Sequence, residues 1–403
     1  MLSPTSSAVV SATLPAVEGA LGEISERFYR RLFDAHPELL RNLFNRGNQA
    51  AGTQQQALAA ALAGFARLLV HRPHSRPDAM LDRIANKHAS IGVTAGQYPI
   101  VHDHLTAAIG EVLGGAFTAE AAAAWDDVYW LMANALIGIE RRLYAQHGVL
   151  VGDTWNDWVV TSRTAEAQDV VTLALTPADG LRPPSFQPGQ YVSVQVQLAD
   201  GARQIRQYSL SRAADASDVR YITVKRVRGE GPDGEVSHHL HEHAHAGTTL
   251  RLSAPYGDLT VKDTTVPLLL ASAGIGCTPL HAMLEHLVAR RHRGPVTVVH
   301  GDRSPAHHPL REQQKDLVRR LPHGAAHFWY EDSHGADAGD RTGFVDVAPI
   351  ALPERTHAYL CGPLPFMKAV RAQLLTRGLS AENVHYEVFG PDMWLGRESE
   401  VAV

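Results

Sequence analysis

The chain has 403 residues, 45% of them hydrophobic and 20% charged, which gives material for about two to four globular domains at roughly 100–200 residues each. A net charge of -5 and the lack of any basic block exclude a nucleic-acid partner. The two cysteines, Cys277 and Cys361, lie far apart and exclude a disulfide framework, while no apolar run reaches the ~18–20 residues of an integral membrane segment.

The first dozen residues are rich in Ser and Ala. No Lys or Arg precedes Arg27 and no sustained apolar region follows, so export is disfavoured and a cytoplasmic protein is expected. Up to about His147 the pattern is helix after helix. Val17, Leu21, Ile24, Phe28 and Leu32 mark one amphipathic stripe, and Leu58, Leu62, Phe65 and Leu69 mark another. Met80, Leu81, Ile84, His88 and Ile91 place His88 on the apolar stripe of a helix that stops at Gly92. An imidazole on a buried face needs a partner, either a backbone carbonyl or an iron atom. Trp125, Val128, Met132, Leu136, Ile139 and Leu143 mark a long last helix. Strand-like runs are absent, so residues 1–147 read as an all-α domain.

From Trp155 to about Lys262 short β-branched, alternating runs take over, at Trp155–Thr161, Val170–Thr176, Tyr191–Gln197 and Tyr221–Val227. Segments rich in Pro and Gly, such as Leu181–Gly189, separate them, and the spacing predicts an antiparallel barrel over 152–263. From Val266 on, strands alternate with helices. Val266–Ser272 is a continuous apolar run, and Val296–His300 and Ala358–Cys361 repeat it, as parallel strands covered on both faces require. Residues 264–403 therefore read as a doubly wound α/β domain.

Ser272-Ala-Gly-Ile-Gly-Cys-Thr-Pro279 follows a predicted strand and opens a helix. Gly274 and Gly276 would let backbone N–H groups approach a pyrophosphate, and Pro279 suits a first helical turn. Cys361-Gly-Pro363 ends a later strand, the position where ligands sit in such sheets. In the middle domain, Arg206-Gln-Tyr-Ser-Leu210 offers a phosphate clamp in Arg206, a ring to stack on in Tyr208 and a short donor in Ser209. Pro188-Gly-Gln-Tyr191 and Gly234-Glu-Val-Ser237 complete the set.

In this order the motifs resemble the ferredoxin reductase-like flavin modules, and the helical domain resembles a globin; together they resemble a flavohaemoglobin from near the N-terminus to Pro391. The resemblance implies haem b, FAD and NADH or NADPH as cofactors, in a globin joined to an antiparallel FAD-binding barrel and an NAD(P)-binding α/β domain. It implies a nitric oxide dioxygenase in which NAD(P)H reduces FAD, FAD reduces haem iron, and NO reacts with O₂ to give nitrate. His88 becomes the proximal haem ligand, with Tyr98 and Glu140 hydrogen-bonded to the far side of its ring. A carboxylate there makes the ligand more anionic and favours O–O chemistry over reversible carriage. A surface pair of Glu140 with Arg141 or Arg142 is the alternative. Tyr29 and Gln54 fall over the iron, Phe44 packs on the haem, and Lys87 tunes its potential.

For FAD the resemblance implies Tyr191, Arg206, Gln207, Tyr208 and Ser209, with Val388, Phe389, Gly390 and Pro391, where Phe389 stacks as the nicotinamide enters. For the pyridine nucleotide it implies Gly274, Ile275, Gly276, Cys277, Thr278 and Pro279 together with Cys361, Gly362 and Pro363. Cys277 stands where relatives often carry an amide, which could alter nicotinamide contacts, and the tail Asp392–Val403 extends past the usual end and could cover the flavin. Arg303 could meet a 2′-phosphate or merely water, which leaves NADH against NADPH open. A monomer is expected, and the resemblance admits a lipid in the distal pocket. Two other functions stay open: a flavin reductase with an O₂-sensing or O₂-storing globin, and a haem or lipid hydroperoxide reductase. The histidine-rich Ser237–His245 tract reads as a helix near the flavin phosphates rather than a metal site, and His102, His104, His307 and His308 are expected to be solvated.

Overall fold

The computed structural model describes residues 2–50, 52–72, 77–214, 218–228 and 233–390. The described residues fall into two compact units, one drawn from Met1–Thr154, Gln197–Ile205 and Gly390–Val403, the other from Trp155–Val196 and Arg206–Phe389.

The first unit carries α1 (Pro4–Gly19), α2 (Leu21–Ala35), α3 (Pro37–Asn42), α4 (Arg46–Ala50), α5 (Thr53–His71), α6 (Asp78–Ile91), α7 (Gln97–Leu113) and α8 (Ala119–Gln146). The start of α1 follows from its sequence: the Ser3 side chain accepts from Ser6 N at 3.0 Å and Pro4 occupies the turn where no donor is needed. Thr118 caps α8 in the same way, accepting from Ala121 N at 3.2 Å. The expected stripe from Val17 to Leu32 is two helices rather than one. Ala20 leaves the helical region (φ -105, ψ 6), yet Val17 and Ile24 on either side stay buried in one core, so hydrophobic spacing does not reveal the break. α6 stops where Gly92 takes φ +83, with Val93 N bonded to His88 O at 3.0 Å. Buried Gln204 aims its amide Nε2 at the carbonyls of Leu40, Arg41 and Phe44 (3.1–3.4 Å), partners that the end of α3 would otherwise lack. No helix among the described residues is long and apolar enough to cross a membrane.

The barrel strands are β1 (Asn156–Ala167), β2 (Val170–Pro177), β3 (Tyr191–Gln197), β4 (Arg203–Ser209), β5 (Arg220–Lys225) and β6 (Thr249–Leu252), with α9 (Glu235–His243) before β6. They form one sheet in the order β4-β3-β6-β1-β2-β5, and an antiparallel bridge from Leu210 to Ile222 joins the two outer strands. Irregular register at Val160/Ser162 and Ala165/Ala167 marks the bends in β1 that closure requires. β4 and β6 add to the four strands expected. β4 carries the Arg-Gln-Tyr-Ser run itself, whose polar residues hide its alternation, and β6 has only four residues.

The α/β part holds β7 (Leu268–Ala273), α10 (Cys277–Ala289), β8 (Val296–Asp302), α11 (Arg311–Arg319), β9 (Gly324–Tyr330), β10 (Arg341–Thr342), β11 (His357–Cys361), α12 (Leu364–Thr376) and β12 (Val384–Glu387). Its sheet is parallel throughout, in the order β10-β9-β8-β7-β11-β12. The chain winds outward from β7 through β10 and then returns to the other side of β7, so the direction of winding reverses between β7 and β11. Gly189 is a packing requirement of this unit: at φ +102, a Cβ there would stand 1.9 Å from Leu259 O and 2.5 Å from Met283 Cε. Gly180 shares a positive φ of +68 with open space around it. Gly189→Ala is therefore expected to lower stability by more than about 2 kcal/mol, and Gly180→Ala by only about 1 kcal/mol, both read from urea midpoints.

Candidate functional site

In the first unit three helices bring three polar side chains together. Glu140, on α8, is 2% exposed. Its Oε1 accepts from Tyr98 OH at 2.5 Å and lies 2.9 Å from His88 Nδ1, and the Tyr98 hydroxyl lies 3.1 Å from the same nitrogen. The surface pairing considered for Glu140 is thus replaced by a buried one. Two further tyrosines fix the α6–α7 turn on α8: Tyr129 OH donates to Tyr98 O and Tyr144 OH to Val93 O, each at 2.7 Å. Burial, and then the Glu140 charge, push the Tyr98 phenol far up, so it keeps its proton and donates.

A carboxylate that accepts at Nδ1 fixes the proton there and leaves the lone pair on Nε2. His88 Nε2 makes no hydrogen bond among the described residues, and the side chain is 32% exposed. The stripe expected for α6 is in fact split. Met80, Leu81, Ala85 and Ala89 are buried, while Ile84, His88 and Ile91 line a half-exposed edge. A buried acceptor behind the ring and an open nitrogen in front on an apolar edge suit a metal held from outside the helix, and so fit a haem iron. Lys87 Nζ donates to Gly390 O at 2.8 Å.

Tyr29 is buried on α2, with Phe33 and Phe44 packed edge-on or tilted at 5.5 and 5.8 Å between ring centres. Burial pushes its phenol well above the ordinary range, opposed by the amide of Gln49. The Gln49 amide is buried beside the tyrosine and has no other hydrogen-bond partner among the described residues, a neighbour that helical spacing gave no reason to select. Gln54 lies in the first turn of α5, and its side chain is outside the described residues.

In the second unit the nucleotide motifs converge on one edge. Gly274–Pro279 follows β7, Cys361–Pro363 ends β11 and Val388–Phe389 follows β12, three adjacent strands whose carboxyl ends lie at the reversal of winding. Ligands of open α/β sheets bind at such a crevice. Gly274 takes φ +54, and a Cβ on Gly276 would lie 2.3 Å from Cys361 O, so these glycines let the two strand ends close on each other. Cys277 does not face the crevice. The residue is 1% exposed, and its thiol reaches Pro309 O at 3.7 Å and is pushed far up by burial. The barrel motif adjoins α10: His281 Nδ1 lies 2.9 Å from Ser211 O, two residues beyond Ser209. Tyr208 is half-buried beside Arg206, with burial raising its phenol and the guanidinium opposing the rise. Gln207 Nε2 instead donates to Ser193 Oγ inside the barrel at 3.0 Å, and the Tyr191 ring packs on Gly257. Phe389 is 47% exposed. Close glycines at the ends of β7 and β11 fit a dinucleotide, and Tyr208 beside Arg206 fits a flavin. Pro391 and the tail 392–403 lie outside the described residues.

The histidines expected in solvent are in fact packed. His308 is 2% exposed, stacks on buried His300 at 3.7 Å and bonds Tyr330 OH at 2.8 Å. His102 lies between Tyr129, Trp130 and Asp126, and His104 and His307 are half-buried. The tract after Gly234 does open a helix, where His241 Nε2 bonds Val224 O at 3.0 Å. No group of three or more potential metal ligands occurs among the described residues.

Three family patterns match the chain: the globin family over residues 26–136, the oxidoreductase FAD-binding domain over 157–261 and the oxidoreductase NAD-binding domain over 270–372. The flavohaemoprotein of Rhizobium meliloti is 39% identical over 98% of this chain and 100% of its own length. That of Chromobacterium violaceum is 40% identical over 97% of this chain and 98% of its own. The crystal structure of a flavohaemoglobin from Malassezia yamatoensis, with bound FAD and haem, superposes with a TM-score of 0.88 at 35% identity and covers 96% of this chain and 100% of that one. The FAD/NAD-binding domain of a nitric oxide dioxygenase from Vibrio cholerae covers 59% of this chain and 100% of that one, with a TM-score of 0.56 at 35% identity.

Two outcomes follow for stability. Burial, with His357 and Lys262 adding, holds His385 down to about 4, and burial with His300 lowers His308 well below its ordinary value. Both fold neutral, so their contribution is complete above about pH 6.5 and is lost as pH falls toward 4, where the unfolded chain binds more protons. Urea midpoints measured from pH 7 to 4 are expected to fall, and His385→Gln should flatten that slope. Glu140→Leu leaves buried Tyr98 without its acceptor, and a loss of about 1–3 kcal/mol is expected from the same measurement at pH 7.

Proposed function

The chain belongs to the flavohaemoprotein family, and from that premise we propose that it is a nitric oxide dioxygenase, converting NO and O₂ to nitrate with electrons from NAD(P)H. The observation that carries the reading is the buried Glu140–Tyr98–His88 set in a chain whose nucleotide motifs follow the adjacent strand ends of β7 and β11. When bound, haem supplies a metal that reacts with O₂, FAD accepts a hydride and releases single electrons, and the pyridine nucleotide supplies the hydride.

His88 would hold the haem iron through Nε2. Glu140 keeps the Nδ1 proton in place and raises the electron density of the ring, which favours oxygen chemistry over simple carriage. That arrangement weighs against a globin that only stores or senses O₂. Phe44 would pack against the haem, with Lys87 beside its ligand. Tyr29, kept protonated by burial, would donate a hydrogen bond to the O₂ substrate, with Gln54 as a second polar group. Tyr191, Arg206, Tyr208, Ser209 and the segment Val388–Pro391 would hold FAD, with Gln207 ordering the strand from inside. Gly274–Pro279 and Cys361–Pro363 would hold the pyridine nucleotide, position 277 through its backbone alone. Both cysteines are free and buried, in keeping with a reducing cytoplasm.

Stopped-flow mixing of NADH-reduced, aerated protein with NO is expected to give nitrate in proportion to NO consumed. Tyr29→Phe should slow NO consumption by at least about tenfold and speed O₂ loss, because one preorganised donor is removed. Peroxide turnover with no nitrate would instead establish a hydroperoxide reductase.

A further inference from the structure

The tract Ser237–His245 carries five histidines, and the fold gives three of them a structural task. His238 Nδ1 lies 3.1 Å from Gly234 O, and its Nε2 lies 3.4 Å from the Asp233 carboxylate. His241 is buried with Nε2 bonded to Val224 O at 3.0 Å, and His245 Nε2 bonds Glu242 O at 2.9 Å. His239 and His243 are left over. Neither makes a hydrogen bond among the described residues; His239 is half-buried and His243 exposed, and their ring centres stand 4.7 Å apart. Four positions apart within α9, they share one face of the helix on adjacent turns.

Imidazole nitrogen is the commonest protein ligand of transition metals, and here two rings present lone pairs that no protein donor occupies. Two ligands of one tetrahedral ion, each about 2.0–2.1 Å from it, stand about 3.4 Å from each other. Rings with centres 4.7 Å apart reach that spacing by side-chain rotation alone, without moving the helix. Glu242, exposed on the same turn, adds a negative charge that favours a cation. We propose that His239 and His243 chelate one divalent transition-metal ion, of the class of Zn²⁺, Ni²⁺ or Cu²⁺, on the outer face of α9. No third ligand completes a cluster among the described residues, so water fills the remaining positions and the ion clips two turns of the helix together. The tract thus departs in part from the expectation of a helix alone. The pair His357 and His385 is less suited, because their nitrogens bond each other at 3.3 Å and the cationic Lys262 lies close.

The test uses the full chain with its cofactors bound and no affinity tag. ZnCl₂ titrated by calorimetry is expected to bind one equivalent, and MgCl₂, whose ion requires oxygen ligands, none. His239→Ala and His243→Ala should each weaken Zn²⁺ at least about tenfold, because the remaining imidazole loses the advantage of a linked second ligand. Both variants should keep the flavin and haem absorption of the wild type, which separates loss of metal from loss of fold. Electron paramagnetic resonance of one added equivalent of Cu²⁺ should show coupling to two nitrogens in the wild type and to one in either variant. His245→Ala and His385→Gln should match the wild type in both measurements. Wild-type protein that takes up no Zn²⁺, binding that survives both α9 changes, or binding lost with His385→Gln overturns the assignment.

Discussion

The first unit depends on one buried carboxylate. Glu140 sits at 2% exposure on a long helix whose neighbouring stripe is apolar, a placement that would be costly without partners. Its partners come from two other helices, Tyr98 at the start of α7 and His88 near the end of α6. Satisfying Glu140 therefore fixes α6, α7 and α8 against one another at a single point. The Gly92 turn between α6 and α7 is pinned from the same side by Tyr129 and Tyr144. Because the carboxylate occupies Nδ1, the open Nε2 follows directly from the packing.

The second unit rests on a constraint of topology rather than of charge. A parallel sheet wound in both directions from β7 leaves a gap above the ends of β7 and β11, and the chain can approach it only where side chains are missing. Gly276 meets the backbone of Cys361 there, and Gly189 meets that of Leu259 where the barrel packs against α10. Glycine is required at these positions by neighbouring backbone, before any ligand is considered. The crevice is thus a product of the fold, at the adjacent ends of β7 and β11, and the segments Gly274–Pro279 and Cys361–Pro363 follow those strand ends.

What could be read from the sequence, and what could not, follows the same division. The motifs were legible because each combines residues with special local chemistry, Gly with Pro or Arg with Tyr and Ser, and because they occur in a fixed order. Long helices and apolar parallel strands were legible from their periods. The break at Ala20 was not, since residues on both sides face one core, and β4 was not, since a barrel strand that presents Arg206 and Tyr208 looks polar. Burial of His308 depends on His300 and Tyr330, which are 8 and 22 positions away, and no local pattern carries that information. The place of Gln49 beside Tyr29 has the same origin: its surroundings come from a different helix.

Cys277 shows why order and backbone matter more here than a single side chain. In sequence it is a departure at the centre of the nucleotide motif. In the structure its thiol turns inward, among Ser272, Leu280 and His281, so the core absorbs the change. The surface of the turn that a ligand would meet is formed by Gly274 at φ +54 and by the N–H groups that open α10, and neither depends on the side chain at 277.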